Sequence, residues 1–90
     1  MSDNGQVEVQ VKSLITGETK RFPANWDWTL QRVWDQAYEK LEEKKRTGDS
    51  FRCHDGTDMT PFLGLTLTQA REQHVCPDRH FEIRGPSGGA

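Results

Sequence analysis

"VEVQVKSLITGETKRFPA", residues 7–24, alternates strictly before it turns. Val7, Val9 and Val11 fall on one side of an extended chain, and Glu8, Gln10 and Lys12 on the other. That is the period-2 pattern of a half-buried antiparallel strand. Leu14 and Ile15 lead into Thr16-Gly17-Glu18, where glycine supplies the positive φ of a hairpin turn. The returning strand, residues 19–24, turns Phe22 and Ala24 inward. Pro23 cannot donate to a ladder, so it belongs at an edge or at the strand's end.

The period then changes. Asn25, Asp27 and Thr29 are helix-start residues. Leu30, Val33, Trp34, Ala37, Tyr38 and Leu41 recur at spacings of three and four, one apolar stripe of an amphipathic helix. The spacing predicts a helix over about residues 29–46. The cations of Glu43-Lys44-Lys45-Arg46 then lie in its last turn, and Gly48 follows as its stop. Phe51-Arg52-Cys53 reads as a short strand with Arg52 facing out, and residues 54–58 as a polar turn. Leu63, Leu65 and Leu67 plug the core from an irregular stretch broken by Pro61 and Gly64. Thr68 caps a short helical turn, and residues 80–84, HFEIR, form the last strand with Phe81 and Ile83 inward and Glu82 outward.

Ninety residues make one small domain. Apolar residues are only 32% of the chain, and three Trp, four Phe and one Tyr supply the bulk for a core. A net charge of −2 provides no field for nucleic acid or an anionic membrane. No apolar run is long enough to span a bilayer and residues 1–6 do not read as a signal peptide, so the expected location is the cytoplasm. Cys53 and Cys76 are then expected to be reduced thiols packed as small apolar residues. With His54, His74 and His80 they match no paired-cysteine zinc spacing, so no metal site is predicted. No catalytic residue is assigned either: a Cys-His nucleophile would lack a pocket in so small a fold.

The ordered set of elements resembles the ubiquitin-like proteins. VQVKSLITGETKRF (9–22) is similar to that family's first hairpin, Asp27 to Val33 to the cap and opening of its helix, and Asp55-Gly56 to a turn after its third strand. Leu65 to Thr68 is similar to its leucine-ended loop, and His80 to Arg84 followed by Gly88-Gly89 to its last strand and tail. The resemblance implies an α+β β-grasp: a mixed sheet of four to five strands around one main helix, plus a short helical turn, with the first and last strands adjacent and parallel. The implied organisation is a disordered segment 1–6, a domain over 7–84 and a flexible tail over 85–90.

The family's modifiers carry a tail ending in Gly-Gly. Its carboxylate is adenylated with ATP and passed to a cysteine thiol, and the tail threads a channel too narrow for side chains. The resemblance therefore implies a precursor cut between Gly89 and Ala90, then joined through Gly89 to target amines, with Gly88 and Gly89 as the activation residues. The chain itself would be no enzyme and would bind no cofactor, ATP being used by the activating enzyme. Its partners would be activating and conjugating enzymes, a processing peptidase and protein targets, and it would act as a monomer. A sulfur carrier ending in a thiocarboxylate and a non-conjugated interaction module are the alternatives on the same fold.

Two features depart from ubiquitin. Its apolar docking patch is largely replaced by charge, with Arg52 and Glu82 outward and only Leu14 and Ile15 apolar, so the expected partner surface is those four residues and dedicated partners read it. The Gly-Pro-Ser before Gly-Gly replaces a basic tail, which resembles divergent prokaryotic ubiquitin-like proteins encoded beside their own conjugation enzymes.

Overall fold

The computed structural model describes residues 5–86. Strand β1 spans Gln6–Ser13, β2 Thr19–Asn25, helix α1 Leu30–Leu41, β3 Ser50–Cys53, α2 Leu67–Glu72 and β4 His80–Arg84, with a 3₁₀ turn at Thr60–Phe62. The first strand thus begins at Gln6, paired to Asn25, one residue before the expected boundary. The strands form one mixed sheet in the order β2-β1-β4-β3. β1 runs antiparallel to β2 and parallel to β4, with Val11 beside Phe81, and β3 closes the other side antiparallel to β4. Pro23 sits on β2, an edge strand, where its missing N–H leaves no ladder bond unmade.

Two apolar faces of different period meet to make the core. Leu30, Val33, Trp34, Ala37, Tyr38 and Leu41 of α1 are buried, together with Val9, Val11, Phe22, Ala24, Phe51, Phe81 and Ile83 of the sheet. Phe51 stacks between Trp34 and Phe81, with ring centroids 5.7 and 4.9 Å away. From the irregular stretch Met59 and Leu67 are buried, and Leu63 packs against the cluster half-buried. Trp26 and Trp28 also pack half-buried on the core, and their carbonyls accept the Thr68 and Leu67 N–H groups at 3.2 and 2.9 Å. Both tryptophans therefore fasten the start of α1 to α2.

Three local readings are corrected. The long helix stops at Leu41, not near residue 46. Glu42 adopts the left-handed conformation (φ 59°) and the N–H groups of Glu42 and Glu43 fold back on the Glu39 and Tyr38 carbonyls, closing the helix with no glycine to announce it. Residues 43–46 consequently lie in a loop. The short helix is capped by Thr66, not Thr68, in a reciprocal box: Thr66 Oγ1 accepts from the Gln69 N–H at 3.1 Å and Gln69 Oε1 from the Thr66 N–H at 3.0 Å. Finally, Cys53 and Cys76 are buried as expected, but they form a disulfide rather than two thiols. The end of β3 and the loop before β4 bring their Cα atoms to 5.6 Å, a juxtaposition that 23 residues of separation conceal in the sequence.

Candidate functional site

Strand β4 ends at Arg84, and three segments surround the two residues that follow it, Gly85 and Pro86. The first is the loop of the β1–β2 hairpin. Ser13 is fully buried, its Oγ accepting the Ile15 and Thr16 N–H groups at 3.3 Å each, while the Leu14 N–H reaches the Ile83 carbonyl at 2.9 Å. This sets Leu14 half-buried and turns Ile15 outward, 37% exposed, the one large apolar side chain so exposed among the described residues. Ile15 lies over Gly85: a methyl group there would come within 3.4 Å of Ile15 Cγ1.

The second segment is the loop after α1, held by a polar cluster. Arg46 donates to Glu43 Oε1 at 2.8 Å and to Asp49, and Asp49 also accepts the Tyr38 hydroxyl at 2.7 Å. Ser13 and Thr16 donate to Glu43 from the hairpin at 3.3 and 2.9 Å. The Asp49 side chain is wholly buried, and such a charge is tolerable only with this set of donors. Burial raises the Tyr38 phenol far above its usual range, and its bond to Asp49 raises it further. Burial alone would also raise the Glu43 carboxyl, but the hydrogen bonds from Arg46, Thr16 and Ser13 outweigh it and hold the group below the usual carboxylate range.

The sign of the Glu43 shift fixes a pH dependence. A depressed native pKa gives stability that is complete above the unfolded value and lost as pH falls through the native one. Asp55 and Asp58, lowered by the Thr57 and Thr60 backbone N–H groups, act in the same direction. Urea unfolding at about pH 6 and about pH 3 should therefore show a less stable protein in acid. Glu43→Gln should be less stable than the parent at the higher pH, and the gap should narrow at the lower.

The third segment is Gly48 against Pro86. Gly48 has φ +92°, and a Cβ there would lie 2.6 Å from the Pro86 Cβ. Glycine was expected at this position as a helix stop. The structure needs it instead for a left-handed turn that lets Pro86 approach. Gly48→Ala should cost about 2 kcal/mol, from the left-handed conformation and the forced shift of Pro86. Chemical denaturation reads the loss, and Pro86→Gly in the same background should recover the part due to contact.

The outer face of β3 and β4 completes the surround. Arg52 and Glu82 are direct register partners, and Arg52 is half-buried rather than exposed. Its guanidinium lies back over the turn and donates to the Gly56 carbonyl at 3.2 Å. Glu82, also half-buried, lies 4.0 Å from Arg84, two residues along on the same face of the strand. The structure thus gathers Leu14 and Ile15 with the end of β4, and sets Arg52 and Glu82 side by side on the neighbouring strands. Gly88, Gly89 and Ala90 lie outside the described residues. Sequence reasoning missed the Glu43–Arg46–Asp49 cluster and Pro86. Acids flanking a basic run were the one visible trace of the cluster.

The sequence matches no protein-family model and no curated protein. No helix among the described residues is long and apolar enough to cross a membrane.

Proposed function

We propose that the chain is a ubiquitin-like β-grasp modifier precursor, cut after Gly89 and joined through that carboxylate to target amines. The supporting observation is the topology. A four-stranded mixed sheet in the order β2-β1-β4-β3, with parallel β1 and β4 and one main helix against it, is compatible with a β-grasp. In this reading the root described above is the platform that presents the tail. Gly85 and Pro86 start it from a fixed point, and the residues that follow, Ser87 to Ala90, carry no apolar side chain larger than a methyl group to hold it down. The chain is then a substrate of enzymes and not one itself, and ATP is consumed by the activating enzyme.

The charged face around Arg52, Glu82 and Arg84 favours dedicated partners over readers of an apolar patch. Ile15 beside the tail root is the apolar contact such a partner would use. ATP-dependent activation assigns the protein to the cytoplasm, where a disulfide is a bond that forms and breaks rather than a permanent one. The test is incubation of the form ending at Gly89 with ATP and the activating enzyme of the source cell. A thiol-sensitive adduct at the enzyme's cysteine is expected, none with Gly89→Ala, and its absence with the Gly89 form would sink the proposal.

A further inference from the structure

At the end of the β3–β4 ribbon opposite the tail, a second group of side chains converges. β3 ends at Cys53, and the next residue, His54, is held by its N–H to the His80 carbonyl at 2.9 Å. The loop before β4 brings Cys76 to Cys53, and sets Asp78 Oδ2 2.7 Å from His54 Nε2. One ligand-capable atom each from Cys53, His54 and Asp78 lies within 4.8 Å of the other two. The Cys76 sulfur is bonded to the Cys53 member of that group. Burial is graded: the cysteines are 1% and 6% exposed, while the His54 and Asp78 side chains are 44% and 53% open to solvent.

Two sulfurs, one imidazole and one carboxylate are a donor set for tetrahedral zinc. Half-cystine sulfurs do not serve, because the metal requires thiolates. We propose that reduction of the Cys53–Cys76 bond creates a zinc site made by both thiolates with His54 and Asp78. In the first step a dithiol reductant supplies two electrons and two protons. Its own sulfurs join as a disulfide, and the protein's S–S bond becomes two thiols. In the second step Zn²⁺ binds both sulfurs, their two protons leave to solvent, and neutral His54 and the Asp78 carboxylate complete the set as their mutual hydrogen bond gives way.

The loop that must adjust is poised to do so. His74, Cys76 and Arg79 all hold positive φ (60°, 48° and 61°), a conformation L residues rarely adopt, and opening the disulfide releases the tether on that loop. Two exposed ligands over two buried ones also leave the metal a path in from solvent.

The experiment reduces the full chain with a thiol-free phosphine and titrates it with zinc ion alone, with cobalt ion in a parallel series. The expected result is one zinc per reduced chain, none on the oxidised chain, and a tetrahedral cobalt spectrum with a thiolate charge-transfer band. His54→Ala and Asp78→Asn should each weaken zinc binding by at least about tenfold, whereas His74→Asn in the same loop should not. Absence of zinc binding by the reduced chain overturns the proposal, as does unchanged affinity in both ligand variants. Should reduction unfold the chain, zinc that restores the native far-ultraviolet circular dichroism supports the site, and zinc that binds without restoring it overturns the site.

Discussion

Val33→Asp should leave the protein unfolded or barely folded. Val33 is 0% exposed on the face of α1 that meets the sheet, packed in the cluster with Val9, Val11 and Ile83. A carboxylate there has no donor to replace its water, so it must be buried uncompensated or neutralised against its normal acidity. Either route costs roughly 4 kcal/mol or more, a large part of the 5–15 kcal/mol that holds a typical domain together. Glu39→Asp, on the exposed face of the same helix, should change stability by no more than about 0.5 kcal/mol. Thermal and urea unfolding read both. A Val33→Asp variant as stable as the parent would mean that α1 does not present this face to the sheet.

Removing the disulfide should have the next largest effect. The bond closes a loop across 23 residues of separation, and constraining the unfolded chain over that span is worth about 3 kcal/mol. Cys53→Ala with Cys76→Ala should lower stability by about that amount, and reductant should lower the parent comparably while leaving the double variant unaffected. The remaining fold should hold, because Phe51, Leu30, Val9 and Val11, all at most 1% exposed, keep the core together without the bond. A parent chain whose urea midpoint does not respond to reductant would contradict the pairing.

The parts of the fold legible in the sequence are those where period alone decides. Val7, Val9 and Val11 alternate, and β1 presents Val9 and Val11 to the core. Phe81 and Ile83 alternate, and β4 spans His80–Arg84 as expected. What stayed hidden depends on contacts between distant residues. α1 stops at Leu41 because Glu42 turns left-handed above a loop tied by Arg46, Glu43 and Asp49 to the hairpin, and no local signal marks that stop. Arg52 faces away from the core as alternation requires. It is half-buried because Gly56, four residues on, offers a carbonyl within its reach. Cys53 and Cys76 looked like two small apolar residues until the sheet brought them together. In the candidate site, Leu14 and Ile15 were readable as the apolar tip of a hairpin. The closeness of Ile15 to Gly85, and of Leu14 to Ile83, follows only from the parallel pairing of β1 with β4.

The central claim, that Gly89 becomes linked to other proteins, is tested most directly on material from the source cell. The chain, tagged at its N-terminus, is purified under denaturing conditions that preserve only covalent partners, digested with trypsin and analysed by mass spectrometry. Trypsin cuts after Arg84, so a modified lysine should carry the five-residue remnant Gly85-Pro86-Ser87-Gly88-Gly89 on its side-chain amine. Such remnants are expected on several proteins, together with free chain ending at Gly89, and should be lost with Gly89→Ala. A C-terminal thiocarboxylate without any remnant would instead identify a sulfur carrier, and recovery of nothing but intact chain ending at Ala90 would contradict conjugation outright.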